Sequence, residues 1–101
     1  MLSKQEIFQR LQQQRAALAG FGVKRIGLFG SYLRGNPGPE SDIDFLVEFV
    51  EGKKSFDNFI GLVFFLEALL QRQVELVTRE ALSPFSGPRT LREVEYVPFS
   101  A

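Results

Sequence analysis

The chain has no cysteine and no histidine. That removes disulfides, thiol nucleophiles, imidazole bases and the usual zinc ligands together. Tryptophan is absent and tyrosine scarce, whereas eleven of the 101 residues are phenylalanine. Rings in that number help a short chain bury enough surface, so we assign them to core packing rather than to ligand stacking. A surplus of either charge is missing too, because twelve Lys and Arg balance twelve Asp and Glu. A protein that holds a long nucleic-acid tract through its phosphates carries a basic excess, and no extended nucleic-acid binding is expected here. A nucleotide stays open, since a divalent cation can bring the positive charge with it. The first residues hold no signal-peptide core, and no apolar run nears membrane-spanning length; the expectation is a cytoplasmic chain with no membrane contact. What remains for chemistry is carboxylates, hydroxyls, Lys, Arg and backbone groups. The natural cofactor for that set is a hard, oxygen-bound cation such as Mg²⁺.

What is present reads as one globular domain over 1–101, with 45% hydrophobic residues. Ser3 and Glu6 have capping-box spacing, and Ile7, Phe8, Leu11 and Leu18 follow at helical intervals, which predicts an N-terminal helix over 4–19. The core lies over 20–80. Within it, Lys24 to Phe29 reads as a short buried strand stopped by Gly30-Ser31, and a short helical turn follows at Ser31. Gly35-Asn36-Pro37-Gly38-Pro39 forces a loop. Asp42 to Val50 alternates as a strand, with Ile43, Phe45, Val47 and Phe49 on one side and Asp42, Asp44, Leu46 and Glu48 on the other. Phe56 to Leu70 carries a wide apolar stripe at helical spacing, and Gln73 to Thr78 reads as a third strand. Beyond it lies a tail over 81–101 with a weak pattern, in which Thr90 to Glu95 could form one short helix.

This order predicts a small mixed α/β sheet of three or more strands flanked by helices. Strands one and two have too short a connection for a crossover and should pair antiparallel; strands two and three, joined by a helix, should run parallel in a right-handed crossover. Gly30-Ser31, Asp42, Asp44 and Glu75 would then meet at one edge of the sheet. Each feature alone has a bland explanation. Asp-x-Asp is often a solvated strand face, Gly-Ser a common strand stop and helix cap, and Glu75 the wet side of an edge strand. Together they are more specific. Two carboxylates one residue apart on a strand emerge on the same face and can share or bridge cations, and a Gly-Ser turn offers hydroxyl and N–H groups to a phosphate. Arg34 is as readily a surface arginine as a phosphate contact.

The spacing G30-S31, ten residues, then D42-I43-D44, then a helix and a strand bearing E75, resembles the nucleotidyltransferase superfamily related to DNA polymerase beta, in its minimal, stand-alone branch. The stretches G-L-F-G-S-Y-L-R-G over 27–35 and S-D-I-D-F-L-V-E-F over 41–49 strengthen that resemblance, which covers 20–80. It implies the polymerase beta-like fold and a two-metal transfer of a nucleoside monophosphate, AMP from ATP being the first choice. In that reading Gly30, Ser31 and Arg34 hold nucleotide phosphates, and Asp42, Asp44 and Glu75 coordinate two Mg²⁺ ions. Most relatives carry Asp where this chain carries Glu75, which lengthens that ligand by one methylene. The resemblance further implies an antitoxin that attaches AMP to a small helical partner of the HEPN family, in a type VII-like toxin–antitoxin pair. A binding-only antitoxin of the same fold, without turnover, is the alternative. With about twenty residues after the third strand, either the acceptor protein completes the site or the chain forms a homo-oligomer.

Overall fold

The computed structural model describes residues 2–99. Ser3 starts the first helix as its spacing predicts. Its hydroxyl accepts from the Glu6 N–H while the Glu6 carboxylate accepts from the Ser3 N–H, both at 3.1 Å, so two donors at the helix start are satisfied reciprocally. This helix, α1, runs Lys4–Gln13 and buries Ile7, Phe8 and Leu11. The single helix expected over 4–19 is in fact two. Gln14 leaves helical geometry (φ −110°, ψ 28°), and α2 occupies Arg15–Gly20. Between Leu11 and Leu18 the chain offers Gln12, Gln13, Gln14 and Arg15 but no large apolar side chain. Nothing there ties the helix to the core in one straight line, and the turn lets Leu18 reach the core separately.

The remaining elements are β1 (Val23–Phe29), α3 (Ser31–Arg34), β2 (Ile43–Phe49), α4 (Phe56–Leu70), β3 (Val74–Thr78), a 3₁₀ turn (Arg79–Ala81), α5 (Gly87–Glu93) and β4 (Glu95–Tyr96). The sheet order is β3-β2-β1-β4. β1 runs antiparallel to β2 and β2 parallel to β3, both as the connection lengths require. The expectation of three or more strands is met by a fourth, whose place the sequence pattern does not mark. At two residues, β4 is too short for an alternation to register in sequence, yet it pairs antiparallel with β1 through Gly27↔Tyr96 and Leu28↔Glu95. Gly27 makes that approach feasible: a Cβ there would lie 3.1 Å from the Tyr96 ring and in the path of the Val94 side chain. The helix foreseen at Thr90 to Glu95 begins earlier, at Gly87, and ends at Glu93.

Ile26 and Leu28 of β1, Ile43, Phe45 and Val47 of β2 and Leu76 of β3 form one buried face of the sheet. Against it pack Ile7 and Leu11 of α1 and Leu62, Leu66 and Leu70 of α4. Because side chains alternate along strands, Gly27, Phe29, Asp44, Leu46, Glu75 and Val77 belong to the opposite face, and only part of it is covered; Leu46 is buried there. Among the described residues no helix is long and apolar enough to cross a membrane.

Candidate active site

Sheet register assembles the candidate site. Asp44 is the Cα partner of Phe29 on one side and of Glu75 on the other, so the last residue of β1, the second of β2 and the second of β3 form one row across the sheet. The parallel pair is fixed at its start: the Ile43 N–H donates to the Gln73 carbonyl at 3.0 Å. The Val74 N–H, one residue before Glu75, donates to the Glu67 carboxylate of α4, also at 3.0 Å. Glu67 therefore anchors the strand that carries Glu75, a role nothing in the linear spacing announces.

Gly30 follows Phe29 and turns the chain back over Asp44. Its φ of +78° lies where only glycine is comfortable. A Cβ at this position would run into the Asp44 carboxylate, with its Cγ only 3.1 Å away. The glycine is thus required twice, once by its backbone angle and once by the carboxylate beneath it. Ser31 then opens the one-turn helix α3, half-buried beside this corner.

Asp44 is half-buried, and its pKa is raised to about 7. Burial is the largest cause, followed by a hydrogen bond with the Glu75 carboxyl and by the negative charges of Glu75 and Asp42; Arg34 acts in the opposite direction. Two carboxyl groups can share a hydrogen bond only when one of them holds a proton, so near neutral pH this pair resists carrying two full charges. Asp42 lies just ahead of β2 and is exposed, near enough for its charge to be felt at Asp44. Among the described residues no three acidic side chains are gathered around one point; Asp44 and Glu75 meet, and Asp42 stands out in solvent. The donor chemistry nevertheless fits a hard divalent cation. It is oxygen only, in a chain without histidine or cysteine, and the negative charge concentrated at Asp44 and Glu75 calls for a proton or a cation to offset it.

Arg34 sits differently from a free phosphate contact. Its guanidinium donates to the Glu93 carboxylate at 2.7 Å, and the same oxygen accepts from the Gly30 N–H at 3.0 Å. Glu93 comes from α5, in the tail where the sequence pattern is weakest. The structure thus brings Gly30, Asp44 and Glu75 together, keeps Asp42 and Ser31 adjacent, and joins Arg34 to the corner through Glu93.

The model of the nucleotidyltransferase domain family matches residues 5–97. The protein adenylyltransferase MntA of Thermococcus cleftensis is 44% identical over 98 residues, spanning 96% of this chain and 98% of its own. A solved structure described provisionally as a minimal nucleotidyltransferase superposes with a TM-score of 0.70 at 34% identity, covering 87% of this chain and 93% of that one. The complex of a tri-AMPylated Shewanella oneidensis HEPN toxin with its MNT antitoxin gives a TM-score of 0.62 at 20% identity, over 92% of this chain and 73% of that one. At that identity the likeness is one of fold.

Proposed function

The chain belongs to the nucleotidyltransferase domain family, and from that premise we propose that it transfers AMP from ATP to a hydroxyl group of a HEPN-family partner, as the antitoxin of a toxin–antitoxin pair. The observation that carries the reading is the row Gly30, Asp44, Glu75 at one edge of the sheet. The near full-length similarity to a protein adenylyltransferase supports the choice of AMP and of a protein acceptor, and the fold shared with an antitoxin bound to its AMPylated toxin supports the choice of partner.

In this reading Asp42, Asp44 and Glu75 hold two Mg²⁺ ions. When bound, such ions activate an attacking oxygen and offset the charge of departing pyrophosphate. The chain's own residues bind and orient. Gly30 lets the turn close over Asp44 at the strand ends, and Ser31 offers its hydroxyl and N–H beside the β- and γ-phosphates. Asp44, walled in by the Gly30 turn and Glu75, has little freedom to move, so the α-phosphorus and the acceptor oxygen meet in a defined line. A new bond forms between the acceptor oxygen and the α-phosphorus, the α–β anhydride bond breaks and pyrophosphate leaves; the hydroxyl proton passes to solvent water at the exposed edge beside Asp42 and Glu75. Glu75 and Asp42 are exposed, which suits an acceptor delivered on the surface of another protein.

The test is intact-mass spectrometry of a HEPN partner incubated with the protein, ATP and Mg²⁺, beside an Asp44→Asn control. An AMP-sized increment on the partner, lost in the control, is the expected result. Binding of the partner without any adduct would replace this reading with that of a binding-only antitoxin.

A further inference from the structure

Glu93 touches the Gly30-Ser31 corner from outside the acidic row. Its Oε1 accepts two hydrogen bonds, from the Gly30 N–H at 3.0 Å and from the Arg34 guanidinium at 2.7 Å. Its side chain is only 21% exposed, against 48% for Arg34, so the better-buried partner fixes the more mobile one. Bonds to a charged acceptor that is partly screened from water are the stronger kind. The two donors bracket the corner. Gly30 precedes α3 and Arg34 ends it, and one oxygen ties both ends of that single turn to α5. α3 is too short to hold its own geometry, and Gly30, as a glycine, leaves the backbone of the turn free to adopt other angles unless its surroundings fix it.

The placement also matters for charge. Gly30 turns directly over the Asp44 carboxylate, and the Glu93 oxygen that accepts from its N–H also accepts from Arg34. The guanidinium therefore sits at the margin of the acidic row while bonded to Glu93. Without Glu93 a long, half-exposed arginine would sample many rotamers and spend little time at that margin.

We propose that Glu93 is a positioning residue for nucleotide binding, fixing the Gly30-Ser31 turn and holding the Arg34 guanidinium toward the triphosphate. The inference rests on the nucleotide site proposed above. It differs from a gate, in which Glu93 would occupy the place of a phosphate and be displaced. A gate predicts tighter binding when Glu93 is removed, and a positioning residue predicts weaker binding.

The experiment is calorimetric titration of the full chain with Mg²⁺ and α,β-methylene-ATP, which cannot be cleaved at the transferred bond. Wild type, E93A, E93Q, R34A and the double variant E93A/R34A are compared, with thermal unfolding of each in the absence of nucleotide. E93A should bind about tenfold more weakly, the usual scale for losing a residue that orients direct ligands. E93Q keeps an oxygen acceptor for both donors but loses the charge that strengthens those bonds, so it should bind between wild type and E93A. The double variant should bind little more weakly than R34A alone, because part of the effect passes through Arg34. A wild-type chain that does not bind the nucleotide would overturn the site itself. Wild-type binding together with unchanged or tighter binding by E93A would leave the site standing and overturn the role of Glu93. Should E93A fail to fold, a loss of affinity in E93Q beyond tenfold, at unchanged melting temperature, would likewise overturn it, since the retained acceptor would then have no value.

Discussion

Replacing Asp44 by asparagine should stabilise the protein while ending its activity. The carboxyl is shifted from 3.8 to about 7 by burial and by its acidic neighbours. A shift of that size corresponds to a ceiling of ~4 kcal/mol held against the ionised form. Asp44 is only half-buried and Glu75 is exposed, so solvent screening reduces this to about 1–2 kcal/mol. The direction follows from proton counts. Between 3.8 and about 7 the folded chain keeps a proton that the unfolded chain has released, so stability falls as pH rises through that window and levels off above it. The asparagine side chain carries no charge, and its amide can still donate to Glu75. The Asp44→Asn variant should therefore melt roughly 5–10 °C above wild type at a pH of about 8.5, with the gap closing toward a pH of about 4. Thermal unfolding followed by circular dichroism across this range, without divalent ions, measures it directly. The other carboxyl groups titrate in the lower part of this window but are common to both proteins, and the chain has no histidine to titrate in the upper part. A variant no more stable than wild type at the alkaline end, or a gap that does not grow with pH, would refute the account of Asp44.

Three further outcomes follow from the same geometry. Glu75→Gln removes one of the charges acting on Asp44, and carboxyl-carbon NMR titration should find the Asp44 pKa below the value of about 7 in wild type. Gly30→Ala places a Cβ against the Asp44 carboxylate at a φ of +78°; a cost of about 1–3 kcal/mol in urea unfolding should accompany loss of nucleotide binding. Leu66 is fully buried between α4 and the sheet, and Leu66→Ala should cost about 2–5 kcal/mol by the same assay, with any transfer activity of the folded fraction unchanged.

Much of the fold was legible because its signals are local. The capping box at Ser3, the alternation of β2 and the apolar stripe of α4 each occupy a few turns or a single strand. The strand directions followed from connection length alone. The misreadings have physical causes too. The break at Gln14 lies in a stretch whose residues all tolerate a helix, so only the competing demands of Leu11 and Leu18 on the core divide it. β4 is formed by two residues whose strand geometry is imposed by the β1 edge they meet, with Gly27 supplying the space.

The sequence by itself determined that Asp44 and Glu75 share one edge of the sheet, because a helix crossover must bring β3 beside β2 in parallel. It also determined which chemistry was available, through the residues it lacks. Tertiary structure alone decided what surrounds that edge. Glu67 reaches the start of β3 from a helix seven residues earlier, and Glu93 reaches Gly30 from 63 residues away. Neither contact has a local period, since each depends on where whole elements dock. The same holds for the pKa of Asp44, because burial and the approach of Glu75 arise only when separate strands are set side by side.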